Sequence, residues 1–310
     1  MTEPIDVTVL TVLDADRWHA DQAEHAAVAD ALTAGHRARR AAGERHPVWD
    51  FMFHYYPVKP SQLRRWSPGA GTGLQLTAAD ADGPQTPGPP ALHRIVDGDR
   101  GRIWQVDTDA VRARRGRAVR YIHRLLRATA GRPAQLACFG MHEWAMVYRA
   151  TPRHPEPLRL GAAATDRVVE SSTLRCTHID AYRFFTADAA PRNTLRPTRE
   201  TQVDLEQPGC LHATMDLYKW ATKLGPLVPG DLWLDTFRLA CDVRTLDMAA
   251  SPYDLTAWGL DPVPVETPAG RSEYARRQRG LADRGQQLRR RLLALLDRTY
   301  PDLVEEDDRG

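Results

Sequence analysis

The chain has 310 residues, of which 42% are apolar and 26% carry a charge. This composition is typical of a globular protein with a sizeable core, and it excludes a disordered or fibrous chain. The 42 Lys and Arg residues against 40 Asp and Glu residues leave a formal charge of +2. Any contact with nucleic acid must therefore come from a local basic patch rather than from the overall charge.

The first residues, MTEPID, are acidic, and no apolar run approaches the roughly 18 residues that a membrane span needs. We therefore expect a cytoplasmic protein without a membrane partner. The four cysteines form no CxxC pair, which fits a reducing compartment in which thiols pack, bind metal or react.

In the first half of the chain, apolar periodicity predicts a strand at 5–13 and a long Ala-rich helix at 14–44. Residues 67–90 are rich in Gly, Pro, Ala and Asp, which predicts a mobile loop. A short strand at 102–106 should lead into a helix over about 108–130, because good N-cap residues precede it and Gly131 ends it.

In the second half, helical spacing dominates, and β-branched and aromatic runs at 158–185 favour two or three strands. We therefore expect a mainly α protein with a small β insert (α+β), folded as a single compact domain over 1–310. The other predicted elements are helices at 141–149, 211–224 and 231–250, a long C-terminal helix, and an acidic tail at 304–310.

Three of the four cysteines have a histidine within four residues downstream. Each of these histidines also has a carboxylate nearby, which can orient an imidazole, fix its tautomer and raise its basicity. Acid–base catalysis and metal ligation both require an imidazole that is oriented in this way. The three groups are Cys138–His142 with Glu143, Cys176–His178 with Asp180, and Cys210–His212 with Asp216.

On a helix that begins near Cys210, the side chains of His212, Asp216, Lys219 and Lys223 form one polar stripe. This stripe lines a pocket if the face is half-buried, and is a solvated face with an Asp–Lys pair otherwise. The helix dipole should lower the thiol pKa of Cys210, which makes it a candidate nucleophile; a buried structural thiol is the alternative.

His178 and Asp180 alternate along the sequence, so in a strand they would project from the same face. They form a catalytic pair if that face lines a cavity. The candidate catalytic residues are therefore Asp216, His212, His178, Asp180 and Cys210.

Aromatic and basic residues interleave around residues 55–66, a pattern that can stack a base and hold a phosphate, or simply pack in the core. A polar run at 196–202 and a turn at 247–254 add further candidates. The candidate substrate-binding residues are Tyr55, Tyr56, Trp66, Arg199, Lys219 and Tyr253.

A metal site drawn from separate elements is a further interpretation, with His142, His178 and His212 as ligands and Glu143 beside them. The segment HEWAM lacks the second histidine of an HExxH motif. Zn, Fe or haem would be the cofactor of such a site.

Five stretches of the chain are informative together: HPVWDFMFHYYPVKPSQLRRWSPG, FGMHEWAMVYR, LRCTHIDAYRFFT, PGCLHATMDLYKWATKLGPLVP and LDMAASPYDL. They resemble a group of actinobacterial proteins labelled 3-methyladenine DNA glycosylase, and the resemblance runs over about residues 10–296. This resemblance implies a hydrolase of DNA repair that cleaves the N-glycosidic bond of a damaged purine flipped out of the helix, with a carboxylate assisting.

Three hypotheses remain open at this point. The first is a hydrolase of N-glycosidic bonds in damaged DNA or a purine nucleoside, with Asp216 or Asp180 activating water beside His212 or His178. The second is a metal- or haem-dependent enzyme of small-molecule metabolism. The third is a non-catalytic protein that binds nucleic acid or a partner through the seven Arg residues between 112 and 127. The oligomeric state stays open.

Overall fold

The computed structural model of the protein describes residues 11–81, 90–98 and 101–307. Helices dominate this part of the chain, and a small sheet lies in its N-terminal third. The prediction of a single, mainly α domain with a small β insert is therefore confirmed. None of the helices in the described ranges has an apolar stretch long enough to cross a membrane.

The sheet has four strands in the order β1-β2-β4-β3. β1 runs parallel to β2, with Thr11 opposite Thr72, and β4 runs antiparallel to both of its neighbours. Trp104 of β4 lies opposite Leu74 of β2, and both pack with Trp18 in a small apolar cluster of their own. The strands are β1 (Thr11–Leu13), β2 (Thr72–Gln75), β3 (His93–Gly98) and β4 (Gly101–Val106).

The helices vary from single turns to a C-terminal helix of 32 residues. They are α1 (Ala15–Ala41), α2 (Phe51–His54), α3 (Pro60–Leu63), α4 (Ala78–Ala81), α5 (Thr108–Ala130), α6 (Met141–Ala145), α7 (Gly161–Glu170), α8 (Ile179–Tyr182), α9 (Gln202–Leu205), α10 (Leu211–Met215), α11 (Leu217–Leu224), α12 (Gly230–Ala249), α13 (Pro268–Thr299) and α14 (Asp302–Asp307).

The main core is built around α12, which packs against α10, α11 and α13 and has apolar side chains on most of its faces. α5 packs on α13 with the apolar face of Val119, Ile122 and Leu126. A helix that is apolar nearly all round must be covered by other elements. The central position of α12 also brings its polar residues into the interior, where they need partners.

The strands expected at 158–185 were wrong, because α7 and α8 occupy this segment with only isolated bridges beside them. Thr165 and Val169 lie four residues apart and are both buried, so tertiary packing of this helical face overrides the β propensity of the segment. His178 and Asp180 consequently do not share a strand face. His178 is the N-cap of α8, and Asp180 lies in its first turn.

The loop expected at 67–90 contains β2 and the single turn α4, and residues 82–89 lie outside the described part of the chain. β2 forms because it pairs on both sides, with β1 and with β4, which local composition does not reveal. Of the strand expected at 5–13, residues 11–13 form β1 and the rest lie outside the described ranges. The start of the acidic tail forms α14, and residues 308–310 also lie outside them.

Two predicted helices are shorter than expected. The helix predicted at 141–149 ends at Ala145 and continues as turns, and the helix predicted at 211–224 is divided at Asp216. Asp216 is both the C-cap of α10 and the N-cap of α11, so its carboxylate stays in the interior of the protein, at 0% exposure.

Candidate active site

A cavity of about 360 Å³ lies where the segments before α6 and α10 meet α13. Its size is at the lower end for small-molecule sites. Three thiols and two imidazoles contribute to its wall, a set that can supply both a nucleophile and a base. The thiols are those of Cys138, Cys176 and Cys210, and the imidazoles are those of His142 and His212.

Cys138 and His142 are brought together by a tight turn that leads into α6. The N–H of Met141 donates to the carbonyl oxygen of Cys138 (2.9 Å), and the two residues between adopt left-handed backbone conformations, Phe139 with φ 49° and Gly140 with φ 71°. A non-glycine residue in this conformation is strained, and such strain concentrates at functional sites. The turn leaves Cys138 Sγ 3.8 Å from His142 Nδ1.

The other nitrogen of His142 is bound by a carboxylate from α12. His142 Nε2 lies 2.7 Å from Asp247 Oδ1, and both side chains are buried. Arg244, one turn before Asp247, donates to Asp247 Oδ2 (3.0 Å) and to Glu143 Oε1 (3.4 Å). Asp247 therefore orients the imidazole of His142, and the guanidinium of Arg244 compensates negative charge on Asp247 and Glu143. The result is a continuous thiol–imidazole–carboxylate arrangement.

Charge and burial oppose each other at His142. Burial alone would lower its pKa, but the charge of Asp247, its hydrogen bond and the contact with Cys138 together raise the pKa well above the ordinary value. Burial would likewise raise the pKa of Asp247, yet the adjacent His142 and Arg244 hold it below its usual range. His142 therefore binds a proton more tightly than an ordinary imidazole does.

His212 stands beside this group but behaves differently. Its ring lies edge-on to that of His142, with 4.6 Å between centroids, and 5.5 Å from the ring of His178. Burial, followed by the charge of His142, lowers the pKa of His212 to about 3, so it is neutral at physiological pH. Its Nδ1 is sealed from solvent and has no hydrogen-bond partner among the described residues. This leaves Nε2 as the nitrogen available to a molecule in the cavity.

One wall of the cavity is fixed by side-chain amides. Gln207 Oε1 accepts from the backbone N–H groups of Gln135 (2.8 Å) and Gly209 (2.7 Å), and Gln278 Nε2 donates to the carbonyl oxygen of Gly209 (2.7 Å). A Cβ at Gly209 would lie 2.5 Å from Gln135 O, so only glycine permits this approach. These contacts hold the segments before α6 and α10 in a defined relative position.

A second buried group of charges lies next to this cavity. Lys219 Nζ bridges Asp180 Oδ2 (2.8 Å) and Asp216 Oδ2 (2.7 Å), and Tyr56 donates to Asp216 Oδ1 (2.9 Å). Arg199 also binds Asp180, with 3.1 Å between Nη1 and Oδ2. Both carboxylates are thus already neutralised by cations of the protein, and burial, which would raise their pKa values, is outweighed.

His178 joins this second group. Its Nε2 lies 3.0 Å from Glu206 Oε1 and 3.5 Å from Asp216 Oδ2, and its Nδ1 accepts from the backbone N–H of Asp180 (3.2 Å). Burial would lower its pKa, but the charge of Glu206, followed by the interactions with Asp216, raises the pKa to about 9. Of the three histidines predicted as ligands, His212 thus has its ring next to both of the others.

The predicted catalytic residues divide between these two groups. His212 and Cys210 line the cavity, whereas His178, Asp180 and Asp216 belong to the second group and are not among its lining residues. The expected lowering of the Cys210 pKa was wrong. Burial raises the pKa of this thiol to about 12, because the backbone N–H groups at the start of α10 do not offset desolvation.

The predicted substrate-binding residues do not line this cavity. Tyr56 and Trp66 are buried core residues, Tyr55 stacks on Phe51, and Tyr253 packs in a cluster of its own. The remaining two, Lys219 and Arg199, bind Asp180, as described above.

Two sets of side chains in the described ranges could hold a metal ion: His142 with His212 and Asp247, and His178 with Asp180 and Asp216. Glu143 belongs to neither set and contacts Arg244 instead. In the first set, His142 and Asp247 are already hydrogen-bonded at 2.7 Å, closer than the ~3.3 Å between neighbouring tetrahedral ligands. In the second, the Lys219 ammonium lies between the two carboxylates.

The arginine-rich face of α5 is partly engaged in the fold. Arg112 binds Asp302 and lies over the ring of Tyr300, whereas four others are exposed without an ion pair to the described residues. Two more reach backbone carbonyl groups. The exposed set is Arg114, Arg117, Arg120 and Arg124; the carbonyl-bound pair is Arg115 and Arg127.

Sequence reasoning did not single out Cys138 as a nucleophile or Asp247 as its distal carboxylate. The spacing of Cys138 and His142, four residues apart, is a local signal, because a single turn of chain can bring residues at this separation into contact. No local signal connects His142 to Asp247, which lies 105 residues further along the chain.

Comparison of the chain with protein-family models, curated proteins and solved structures found no match.

Proposed function

We propose that the protein is a cysteine-dependent hydrolase or acyl transferase of small molecules, with Cys138 as nucleophile, His142 as general base and acid, and Asp247 as the carboxylate that orients His142. One observation carries this proposal. The thiol, both imidazole nitrogens and the carboxylate form one chain of contacts, 3.8 Å and 2.7 Å long, with Cys138 and His142 in the wall of a cavity of substrate size.

The chemistry follows from these positions. Cys138 and His142 share one proton, which lies on His142 Nδ1 when the sulfur forms a bond to the carbonyl carbon of an ester, thioester or amide and the carbonyl π electrons move to oxygen. The tetrahedral intermediate collapses, the bond to the leaving group breaks, and the His142 imidazolium protonates the leaving atom. Water or another acceptor then attacks the thioester, gives its proton to His142, and releases the acyl product and the thiol.

The other three thiols lack such a partner. Burial raises the pKa of Cys210 and of Cys241 to about 12, and that of Cys176 well above the ordinary value. Protonated thiols are poor nucleophiles, so the four cysteines should differ strongly in reactivity.

The test is to treat the native protein with a limiting amount of iodoacetamide at pH 7 and to map the modified cysteines by mass spectrometry. Cys138 should react first, and p-nitrophenyl acetate should give a burst of one nitrophenolate per protein that is lost in Cys138→Ala. Cys210→Ala is the matched control and should keep the burst. A burst that survives Cys138→Ala would refute the proposal.

A metal-dependent enzyme is the second candidate, because the ligand atoms of His142, His212 and Asp247 all lie within 4.8 Å of one another. The hydrogen bond between His142 and Asp247 and the nearby Arg244 cation weigh against a metal ion there. Elemental analysis together with an absorption spectrum decides between the two. Stoichiometric Zn or Fe, or a haem spectrum, lost in His212→Ala would favour this candidate over the thiol mechanism.

Hydrolysis of an N-glycosidic bond, which the sequence resemblance implies, stays a prediction. Its assigned carboxylates, Asp216 and Asp180, are bound by Lys219 and do not line the cavity, so the geometry favours acyl chemistry at Cys138. Release of a base from alkylated DNA by the wild-type protein, with loss of that release in Asp216→Asn, would support the glycosidic reaction. Salt-dependent duplex binding without base release would instead support a non-catalytic role of the α5 arginines.

A further inference from the structure

His212 is a buried side chain that the fold does not use. It is 6% exposed, lies in the cavity wall, and makes no side-chain hydrogen bond with the described residues. Buried polar groups without a hydrogen-bond partner are rare in folded proteins, so the unpartnered imidazole of His212 needs a physical reason. Since the ring also lies next to His142, its explanation should involve the molecule that Cys138 attacks.

The environment of His212 selects one protonation state. The ring is neutral, because burial and the charge of His142 lower its pKa to about 3. A neutral imidazole carries one proton, on either nitrogen. Nδ1 is sealed without a partner, and an unpaired donor there would cost the full desolvation of the N–H. The proton therefore belongs on Nε2, the nitrogen that a molecule in the cavity can reach.

We infer that His212 Nε2–H donates a hydrogen bond to the carbonyl oxygen of the substrate and stabilises the oxyanion that forms when Cys138 attacks. This inference rests on the proposed function and deepens it, because it assigns the substrate to acyl compounds, whose carbonyl oxygen accepts that bond. A neutral donor that keeps its proton suits this role. The ring of His212 lies 4.6 Å from that of His142, and both rings line the same cavity as Cys138.

The atoms balance without a further reactant. While the bond from Cys138 Sγ to the carbonyl carbon forms, the π electron pair moves to oxygen, and the hydrogen bond from His212 shortens without proton transfer. When the intermediate collapses, the electron pair returns from oxygen and the bond to the leaving group breaks. His142, not His212, supplies the proton to the leaving group.

Two reagents separate this role from a structural one. Acylation of Cys138 by p-nitrophenyl acetate develops an oxyanion, whereas alkylation by iodoacetamide displaces iodide at a saturated carbon and develops none. His212→Phe should therefore slow acylation by about 10- to 100-fold and leave the alkylation rate within about twofold of wild type. His212→Gln, which keeps an N–H donor, should recover part of the acylation rate.

The two proposals fail in different ways. If Cys138 is not a nucleophile, wild type and Cys138→Ala behave alike with both reagents, and the proposed function falls. If Cys138 reacts with both reagents but His212→Phe slows them equally, or slows neither, the inference about His212 is overturned while the proposed function stands. Circular dichroism of both His212 variants shows whether each is folded, and if His212→Phe is not, His212→Gln decides. An acylation rate in His212→Gln that falls below about 1% of wild type while alkylation is unchanged would also overturn the inference, because the glutamine amide keeps an N–H donor near the position of His212 Nε2.

Discussion

His142 Nε2 lies 2.7 Å from Asp247 Oδ1, although 105 residues separate the two in the chain. α6 and α12 meet at this point, where Trp144 Nε1 also donates to the carbonyl oxygen of Ala250 (2.9 Å). The contact fixes the tautomer and the orientation of the imidazole whose other nitrogen faces Cys138.

We expect Asp247→Asn to lower the alkylation rate of Cys138 at pH 7 by about 10- to 100-fold. The carboxylate raises the pKa of His142, so its removal should make the imidazole a weaker acceptor of the Cys138 proton. The measurement is the rate of iodoacetamide incorporation at Cys138 between pH 5 and 9.

The control for Asp247→Asn is Asp242→Asn on the same helix, because Asp242 is half-exposed and, among the described residues, forms an ion pair only with the surface residue Arg284. It should leave the alkylation rate unchanged. Equal profiles for wild type and Asp247→Asn would show that the carboxylate does not tune Cys138.

The stability of the protein should fall between about pH 6.5 and 9 because of His178. Its pKa is about 9 in the folded protein against ~6.5 in an unfolded chain, so the folded state binds this proton more tightly. The bound proton adds about 3 kcal/mol to the free energy of unfolding. This contribution is fully present below about pH 6.5 and is lost as the pH rises through 9. Urea unfolding at pH 6.5, 8 and 9.5 measures it.

His178→Gln isolates that contribution, because it removes the titrating group and leaves Glu206 and Asp216 in place. Wild type should lose about 3 kcal/mol more than this variant between pH 6.5 and 9.5. The same pH dependence in both proteins would contradict the assignment of a protonated His178.

Lys219→Met should destabilise the fold by about 3–5 kcal/mol, because it leaves Asp180 and Asp216 buried without the ammonium that bridges them. Lys223→Met is the matched control. Lys223 lies over the same Trp220 ring, at 5.3 Å, but makes no ion pair with the described residues, so its loss should cost less than about 1 kcal/mol. Urea denaturation compares the two, and equal losses would argue against the bridging role.

Two glycine substitutions should have opposite effects. Gly209→Ala should destabilise the protein and alter the cavity, since its Cβ would lie 2.5 Å from the carbonyl oxygen of Gln135. Gly280 lies at an exposed position in the middle of α13, and a Cβ added there would meet no atom within 4 Å. Gly280→Ala should therefore stabilise the protein by about 0.5–1 kcal/mol, because alanine has the higher helix propensity. The melting temperatures of the two variants test both predictions. A higher melting temperature for Gly209→Ala than for wild type would contradict the close approach of Gly209 to Gln135.

Local signals in the sequence were sufficient for the four longest helices, α1, α5, α12 and α13. The N-cap Asp107 and the apolar positions up to Leu126 predicted α5, and Thr267 followed by Pro268 begins α13 as capping preferences would have it. The segment around Val169 was assigned to strands, because β-branched residues in a short run do not distinguish a strand from a helix whose buried face lies at i and i+4.

The sequence by itself determined the fold class, the positions of the four longest helices, and the proximity of Cys138 to His142, because each depends on residues that are close together in the chain. Only the tertiary structure decided which carboxylate serves His142, that His212 stays neutral, and that Lys219 neutralises Asp180 and Asp216. These properties depend on burial and on contacts between distant segments, and both arise only when α12 is enclosed by its neighbours. The chemistry of each titratable group follows from that enclosure rather than from its neighbours in the chain.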